Sequence, residues 1–278
     1  MVTVTLALAA AAAYGSADFF GGLASRRMAA AAVVALSQIA GLLVLAAAFP
    51  LLPGAFYASD LGWGLAAGLG GAVGIAALYA ALAAGRMGLV SPVSAVVGAS
   101  VPVVWGLVAG ERPGGAALSG IAMAFVAVAL ISTDAQTGRI SRLEPGLGLA
   151  LLSGLAIGAL YVCLAQARHD AGLAVLVASR LASICLLVAY AAVRRESLGA
   201  GTAVWPALAL TGALDMGANI LYLLAARAGL VSVAAVLTSL YPGATVFWAR
   251  LVLHERLSPV QWTGVACAAG AIILISVR

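Results

Sequence analysis

The chain has 278 residues, of which 64% are apolar and only 8% are charged, and its formal net charge is +5. Soluble domains carry about 25% charged residues, so this chain lacks the polar side chains that cover a water-facing surface, and lipid is the solvent that suits its exterior. All 14 basic residues are arginine, which excludes a P-loop nucleotide site and a lysine Schiff base because both require lysine.

In chain order, windows of about 20 apolar residues bounded by charge or by Pro and Gly predict an all-α membrane protein with ten transmembrane helices. The first window lacks the basic start of a signal peptide, so we count it as a span. The longest polar stretch, 134–145, predicts a linker between a first half at 1–133 and a second half at 146–278. The predicted spans are 4–24, 30–51, 61–84, 89–109, 115–133, 146–166, 172–192, 203–226, 230–252 and 259–277.

The two halves repeat each other in sequence. Residues 111–132 align with 255–276 at a constant offset of 144, with nine of 22 positions identical, including the Glu-Arg pair at the start of each segment. Leu78-Tyr79 recurs as Leu221-Tyr222, and 89–91 recurs as 230–232. Because five spans per half is an odd number, the second half would enter the membrane from the opposite side. An inverted repeat of this kind is typical of secondary transporters, whose substrate site lies near the midplane between the halves.

These features resemble the EamA-type permeases of the drug/metabolite transporter superfamily. The similarity is clearest from 230–232 through Tyr241-Pro242 to 254–257, and in the first half at 18–22 with 25–27. The resemblance implies gradient-driven export or exchange of small metabolites without ATP. Amino-acid exporters of the YddG type are the first members to consider, with aromatic or neutral amino acids as substrates.

Span eight carries the main candidate for substrate binding. Asp215, Asn219 and Tyr222 follow each other at intervals of four and three, so they lie on one helical face. Ionisable groups within spans are costly and mark functional sites, which adds Arg180 in span seven. The pair Arg180 and Asp215 is interpreted either as substrate-binding or as a buried ion pair that holds helices together; both interpretations stay open here.

Asp18 in span one is the candidate for proton coupling. A carboxylate within a span could load a proton on one side of the membrane and release it when substrate binds, whereas the alternative is an anchor near Arg26 and Arg27. Gln38 aligns with Arg180 in the repeat and is a second coupling candidate.

Spans four and nine carry the prolines. Pro92, Pro102 and Pro242 are predicted hinges, since interrupted helices mark transporter sites and bends. Further predicted substrate-binding residues are Tyr79 in span three, Ser94 and Trp105 in span four, and Thr238, Tyr241 and Trp248 in span nine.

The sequence thus predicts a monomeric, multi-pass protein of the inner membrane that binds a small-molecule substrate and lipid, without nucleic acid, metal or cofactor. The three cysteines fall within apolar spans without paired spacing. The main alternative is a proton-coupled exporter of drug-like organic cations. A membrane-embedded enzyme is a remote alternative, because the two histidines form no cluster with acids or cysteines. Arginine distribution favours external termini by the positive-inside rule, whereas the family resemblance favours cytoplasmic termini.

Overall fold

The computed structural model describes residues 1–52, 54–55, 57–84, 87–131, 146–195, 199, 204–253 and 258–276. Within these ranges all regular structure is helical, as the sequence predicts, and no strand occurs. The predicted linker at 134–145 lies outside the described residues, so the boundary between the halves stays a prediction.

The chain runs through eleven α-helices, numbered here in chain order, and two short 3₁₀ turns at Phe49–Leu51 and His169–Ala171. The count refers to the described ranges. The α-helices are α1 Val2–Ser25, α2 Ala30–Ala48, α3 Ala58–Ala84, α4 Met87–Val108, α5 Gly115–Ile131, α6 Leu147–Ala165, α7 Ala174–Arg194, α8 Trp205–Ala228, α9 Val231–Thr238, α10 Tyr241–Leu253 and α11 Pro259–Ser276.

Seven segments of the described chain are long and apolar enough to cross a membrane, which confirms seven of the predicted spans. They correspond to α1, α2, α3, α6, α7, α8 and the α9–α10 pair. Three shorter apolar helices, at Val93–Val108, Gly115–Leu130 and Pro259–Ile275, fall in the three remaining predicted spans. The full number of ten stays a prediction.

Predicted span nine is two helices rather than one. The break between α9 and α10 falls at Ser239 and Leu240, just before Pro242. Proline has no backbone N–H to donate to the carbonyl four residues earlier, and its ring clashes with that carbonyl, here the one of Thr238. By contrast α4 is continuous through Pro92 and Pro102. The sequence predicts an interruption in both span four and span nine, and in the described part of the chain the structure has one in span nine alone.

The helices of the two halves interleave. Helix α3 packs on α6 and α7 of the second half, α8 packs on α1 and α2 of the first, and α5 packs on α11. Alanine dominates the buried core, because small side chains let helix backbones approach closely where lipid supplies no hydrophobic drive.

Two glycines show how close the backbones come. A Cβ at Gly212 of α8 would collide with the Ser37 carbonyl of α2, and one at Gly68 of α3 would collide with the Ser179 carbonyl of α7. Only glycine fits at these crossings. Large apolar side chains such as Leu43, Leu51 and Val193 lie exposed on the outside, as expected of a surface that faces lipid.

Candidate functional site

A small cavity of about 30 Å³ lies in the middle of the helix bundle. It is bounded by α1, α3, α6, α8 and α10, so both halves of the chain contribute to it. A volume of this size holds only one or two water molecules, so the site is too small for a larger solute. The lining residues are Tyr14, Asp18, Ile75, Leu78, Ile157, Leu160, Tyr161, Asp215, Asn219 and Tyr241.

Asp215 and Arg180 form an ion pair beside this cavity. The Arg180 guanidinium donates to the Asp215 carboxylate at 2.8 Å, and both residues are buried. Asp215 lines the cavity and Arg180 lies behind it, on α7. The sulfur of Met216 lies 3.8 Å from the same guanidinium nitrogen. An unpaired charge at this depth is costly, and in this pair each residue compensates the charge of the other.

Asp18 has a different environment. It lies on α1, lines the same cavity, and makes no hydrogen bond or ion pair with any described residue. Its surroundings are tyrosine rings and aliphatic side chains rather than arginine. An ammonium group or a proton would therefore find at Asp18 an acceptor that no basic group of the described chain already neutralises.

Tyrosines form one wall of the cavity. The rings of Tyr14 and Tyr161 lie 6.0 Å apart, and Tyr161 packs on Tyr222 with ring centroids 4.4 Å apart. The buried hydroxyl group of Tyr14 has no hydrogen-bond partner among the described residues. The Tyr241 hydroxyl lies near the Ser94 side chain but forms no well-aligned hydrogen bond with a described residue. Buried polar groups are normally satisfied, so both hydroxyls can still take a partner from a bound solute.

Asn219 completes the polar side of the cavity. Its amide nitrogen donates to the Asp215 carbonyl one turn earlier at 2.8 Å, which fixes the side chain along α8. This bond uses the amide nitrogen, so the amide oxygen is the acceptor that Asn219 can offer to a solute. Of the three residues predicted from helical spacing, Asp215 and Asn219 therefore line the cavity.

Tyr222 and Tyr79 do not line the cavity. Tyr222 is fully buried and donates to the Tyr161 carbonyl at 3.1 Å, while Tyr79 donates to the Ala17 carbonyl at 3.4 Å. Each hydroxyl thus links a helix to its neighbour within the same half. In the structure both residues form a hydrogen bond that holds two helices together. Substrate binding by either residue stays a prediction.

The other predicted residues of spans four and nine also lie outside the lining. Ser94 shares a hydrogen bond of 2.8 Å with Ser153 of α6, and Thr238 is buried with its hydroxyl unpartnered. Trp105 is exposed. The Trp248 indole donates to the Ser16 hydroxyl at 2.7 Å and stacks near Phe19.

Gln38 and the prolines complete the predicted set. Gln38 is buried on α2 with its side-chain oxygen unpartnered, and it does not reach the cavity. Pro102 leaves the Gly98 carbonyl without its helical donor, and that carbonyl lies against Gly158 of α6. Only Pro242 accompanies a break in a helix. Hinge motion at any of the three stays a prediction.

Two lining tyrosines were not among the predicted site residues. Tyr14 precedes Asp18 by one turn, a spacing that puts the two on one face of α1 and could have identified it. Tyr161 stands alone in an apolar stretch of α6, with no polar residue one turn away to draw attention to it. Among the described residues no group of three His, Cys, Asp or Glu side chains could hold a metal ion.

A comparison with protein families gives a match in the second half of the chain. Residues 144–277 match the EamA-like transporter family. The matched segment is just under half of the chain, and it contains Arg180, Asp215, Asn219 and Tyr241. The EamA-like match indicates a multi-pass membrane transporter of small molecules, in agreement with the apolar helices.

Among solved structures, one crystal structure is similar over almost the whole chain. The TM-score is 0.72 at 17% sequence identity, and the match covers 96% of each chain. This likeness shows a shared fold and carries no information on substrate. No curated protein matches the chain significantly.

Proposed function

We propose that the protein is a secondary transporter of small amine-bearing metabolites, amino acids first, that works by alternating access. The observation that carries the proposal is the cavity between the halves, where Asp18 has no basic partner and Asp215 is held by Arg180. The proposal includes ten spans arranged as two inverted five-helix repeats, with export across the inner membrane by a monomer without a cofactor.

Matching contacts in the two halves support the inverted repeat. Gly15 of α1 lies against the Tyr241 carbonyl, and Gly158 of α6 lies against the Gly98 carbonyl. Gly15 and Gly158 are 143 positions apart in the sequence, and so are Gly98 and Tyr241. The same crossing is therefore built once from α1 with α10 and once from α6 with α4.

The tyrosines repeat this correspondence. Tyr79 on α3 donates to a carbonyl of α1, and Tyr222 on α8 donates to a carbonyl of α6. Helix α3 also packs on α6 and α7 as α8 packs on α1 and α2. Two halves joined by equivalent interfaces can rock about the cavity between them, which is the motion that alternating access requires.

An amino acid fits the chemistry of the lining. Its ammonium group would bind the Asp18 carboxylate, and its apolar side chain would lie against Ile75, Leu78 and Ile157. Its carboxylate would take donors from the Tyr14 and Tyr241 hydroxyls and from Arg180, once Arg180 turns from Asp215. Since a cavity of about 30 Å³ is too small for any amino acid, binding must accompany an opening of the halves.

A second candidate function is proton-coupled export of organic cations. The observation that favours it is Asp18 itself, which lines the cavity together with three tyrosine rings. Aromatic faces and a carboxylate attract quaternary ammonium groups, and a proton can replace the cation on the carboxylate. This substrate class would leave the Arg180–Asp215 pair unused.

Counterflow in proteoliposomes tests the proposal. The purified protein is loaded with unlabelled solute and assayed for uptake of labelled phenylalanine, leucine, serine, a quaternary ammonium compound and a nucleotide sugar. We expect saturable exchange of amino acids that Asp18→Asn abolishes, while Cys185→Ser, which changes an exposed residue outside the lining, exchanges normally.

The double variant Arg180→Gln/Asp215→Asn distinguishes the two candidates, because it removes the carboxylate partner without leaving a buried charge. Loss of amino-acid exchange in this variant supports the first candidate. Exchange of the ammonium compound alone, unchanged in this variant and lost in Asp18→Asn, would replace the first candidate by the second. No exchange of any of these solutes by the folded wild-type protein would contradict both.

A further inference from the structure

Another, larger cavity lies on the outer surface of the bundle and shares no lining residue with the polar site. It is a groove of about 430 Å³ between α2, α3, α6 and α7. Alanines of α3, including Ala76 and Ala80, form its floor, and Leu152 of α6 and Leu186 of α7 form its walls. Small side chains on α3 leave the space between these helices unfilled.

The groove opens to the outside of the bundle rather than to the centre. Leu149, Leu152 and Tyr190 in its walls are exposed. Since the helices on which it lies are membrane spans, the solvent outside this wall is lipid. The Tyr190 hydroxyl is the one polar side-chain group among the described residues that line it.

The groove lies in one leaflet, at one membrane surface. It is lined by Ala29, Ala30 and Ala31 at the start of α2, by Leu149 near the start of α6 and by Tyr190 near the end of α7. These helix ends therefore meet at the same surface. The hydroxyl of Tyr190 is at the level where aromatic side chains usually contact lipid headgroups.

Four arginines flank this end of the groove. Arg26 and Arg27 lie just before its α2 wall, Arg194 and Arg195 follow Tyr190 by one turn, and all four are exposed. Glu196 comes next in the sequence and lies outside the described residues. Arginine binds phosphate oxygens through two parallel hydrogen bonds, and basic residues beside an intramembrane pocket are the usual recognition element for anionic headgroups.

From this arrangement we propose that the groove is a binding site for an anionic phospholipid. One acyl chain lies in the alanine-floored groove, and the phosphate lies between the Arg26–Arg27 and Arg194–Arg195 pairs, with Tyr190 beside it. Charge complementarity selects the occupant: a zwitterionic lipid or an apolar helix would fill the groove without using the four arginines. The bound lipid bridges α2 of the first half and α7 of the second.

Native mass spectrometry of the full chain in detergent, titrated with phosphatidylglycerol and with phosphatidylcholine, tests the proposal. We expect phosphatidylglycerol to bind at lower concentration than phosphatidylcholine. Each double variant, Arg26→Gln/Arg27→Gln and Arg194→Gln/Arg195→Gln, should weaken that binding roughly thirtyfold, at about fivefold per arginine. The control Arg112→Gln changes an exposed arginine at the opposite surface and should bind as wild type.

A groove-filling variant, Ala80→Phe, tests the acyl-chain part separately, with Ala116→Phe on the exposed side of α5 as its control. We expect Ala80→Phe to lose phosphatidylglycerol and Ala116→Phe to keep it, with equal thermal unfolding. Equal binding of the two lipids would overturn the proposal. Retention of phosphatidylglycerol by Ala80→Phe would do so too, and so would a wild-type dimer that Ala80→Phe dissociates, since a second copy would then be the occupant.

Discussion

At the scale of single residues, the charges of the membrane region have unequal environments. Arg180 and Asp215 neutralise each other, Asp18 stands beside the same cavity without a basic partner, and Asp60 accepts a hydrogen bond of 3.1 Å from the Arg168 backbone at a membrane surface. Burying an ion pair contributes little net stability, but removing one partner leaves an uncompensated charge. The consequences of substitution therefore depend on pairing more than on depth.

The Arg180–Asp215 pair gives the first prediction. Arg180→Gln and Asp215→Asn should each destabilise the protein by about 3–5 kcal/mol, because each leaves a buried charge alone. The double variant should be less destabilised than either single variant. Thermal unfolding in detergent measures all three, and a double variant whose loss equals the sum of the two single losses would contradict a direct pair.

Asp170 gives a prediction of pH dependence outside the membrane spans. Hydrogen bonds from the Arg168 guanidinium and the Tyr57 hydroxyl lower the pKa of the Asp170 carboxyl to about 2. Because this pKa lies below the ordinary value of 3.8, the contacts contribute stability above that value and lose it progressively as the pH falls from about 3.8 through about 2. The Arg168–Asp170–Tyr57 contacts should therefore persist at pH 4.

Hydrogen exchange of the neighbouring loop measures this, corrected for the intrinsic pH dependence of exchange. The Ala55 N–H donates to the Asp170 carbonyl at 3.1 Å and reports on the loop. Protection of Ala55 should be equal at pH 7 and pH 4 and should fall toward pH 2. In Asp170→Asn the protection of Ala55 should be weaker at neutral pH and should not change between pH 4 and pH 2. An equal fall in protection in both proteins would argue against Asp170 as the titrating group.

At the scale of helices, close glycine crossings hold the interleaved halves together. A Cβ at Gly212 would meet the Ser37 carbonyl of α2, whereas one at Gly217, five residues further along the same helix, would meet nothing within 4 Å. The two glycines thus differ in packing while sharing the same helical backbone.

We expect Gly212→Ala to destabilise the protein by about 1–3 kcal/mol or more, because overpacking forces α2 and α8 apart. Gly217→Ala is the matched control and should be neutral or stabilising by up to about 1 kcal/mol, since alanine is the better helix former. Thermal unfolding of both variants in one detergent makes the comparison. Equal effects would mean that the α2–α8 crossing is not as tight as described.

Helix α9 is held at its N-terminus by a residue of the first half. The Glu111 carboxylate accepts the backbone N–H groups of Val231 at 2.6 Å and Ser232 at 3.1 Å, together with the Ser232 hydroxyl. Leu230, the residue that precedes α9, offers no side-chain cap. A carboxylate at a helix N-terminus is favoured by the unpaired N–H groups and by the helix dipole.

Glu111→Gln should therefore weaken the closure between the halves at this membrane surface. Hydrogen bonds to a charged group contribute about 1.5–3 kcal/mol, and we expect a loss of that order with faster hydrogen exchange of the first turn of α9. Arg112→Gln, the adjacent exposed position, is the control. Unchanged exchange in Glu111→Gln would mean that the contact does not hold the helix.

At the scale of the whole molecule, the sequence is sufficient to predict seven of the ten expected membrane spans and the most polar residues of the cavity lining. A long apolar window predicts a span because the free energy of transfer into lipid depends on the composition of that segment alone. Asp18 and Asp215 could be picked out because an ionisable residue within a span is rarely without a function. Asn219 followed from helical spacing.

Some lining residues were not predicted, and some predicted residues lie outside the lining. In both cases the position depends on how helices pack on one another, which the spacing of residues along a single helix does not reveal. Tyr222 shares a face with Asp215, yet it lies two turns away and packs on Tyr161 instead of the cavity. Tyr161 has no polar neighbour to signal its place, and Trp105 points outward although Trp248, its partner in the repeat, is half-buried. The break at Ser239 follows from Pro242, whereas the continuity of α4 through two prolines could not be predicted from the chain.

The central claim is that a transported solute occupies the cavity between the halves, and cysteine protection tests it most directly. Cys163, Cys185 and Cys267 are replaced by alanine, Ile157→Cys introduces a thiol in the lining, and Gly114→Cys in an exposed loop is the control. The rate of reaction with a water-soluble thiol reagent is measured with and without saturating phenylalanine, and with and without a quaternary ammonium compound.

The Ile157→Cys protein is first assayed in proteoliposomes to find which solute it exchanges. The account predicts that this solute slows modification of the thiol at position 157 and leaves the rate at position 114 unchanged. If the protein exchanges a solute and the thiol at 157 reacts at the same rate in its presence, the solute does not occupy this cavity and the account is contradicted.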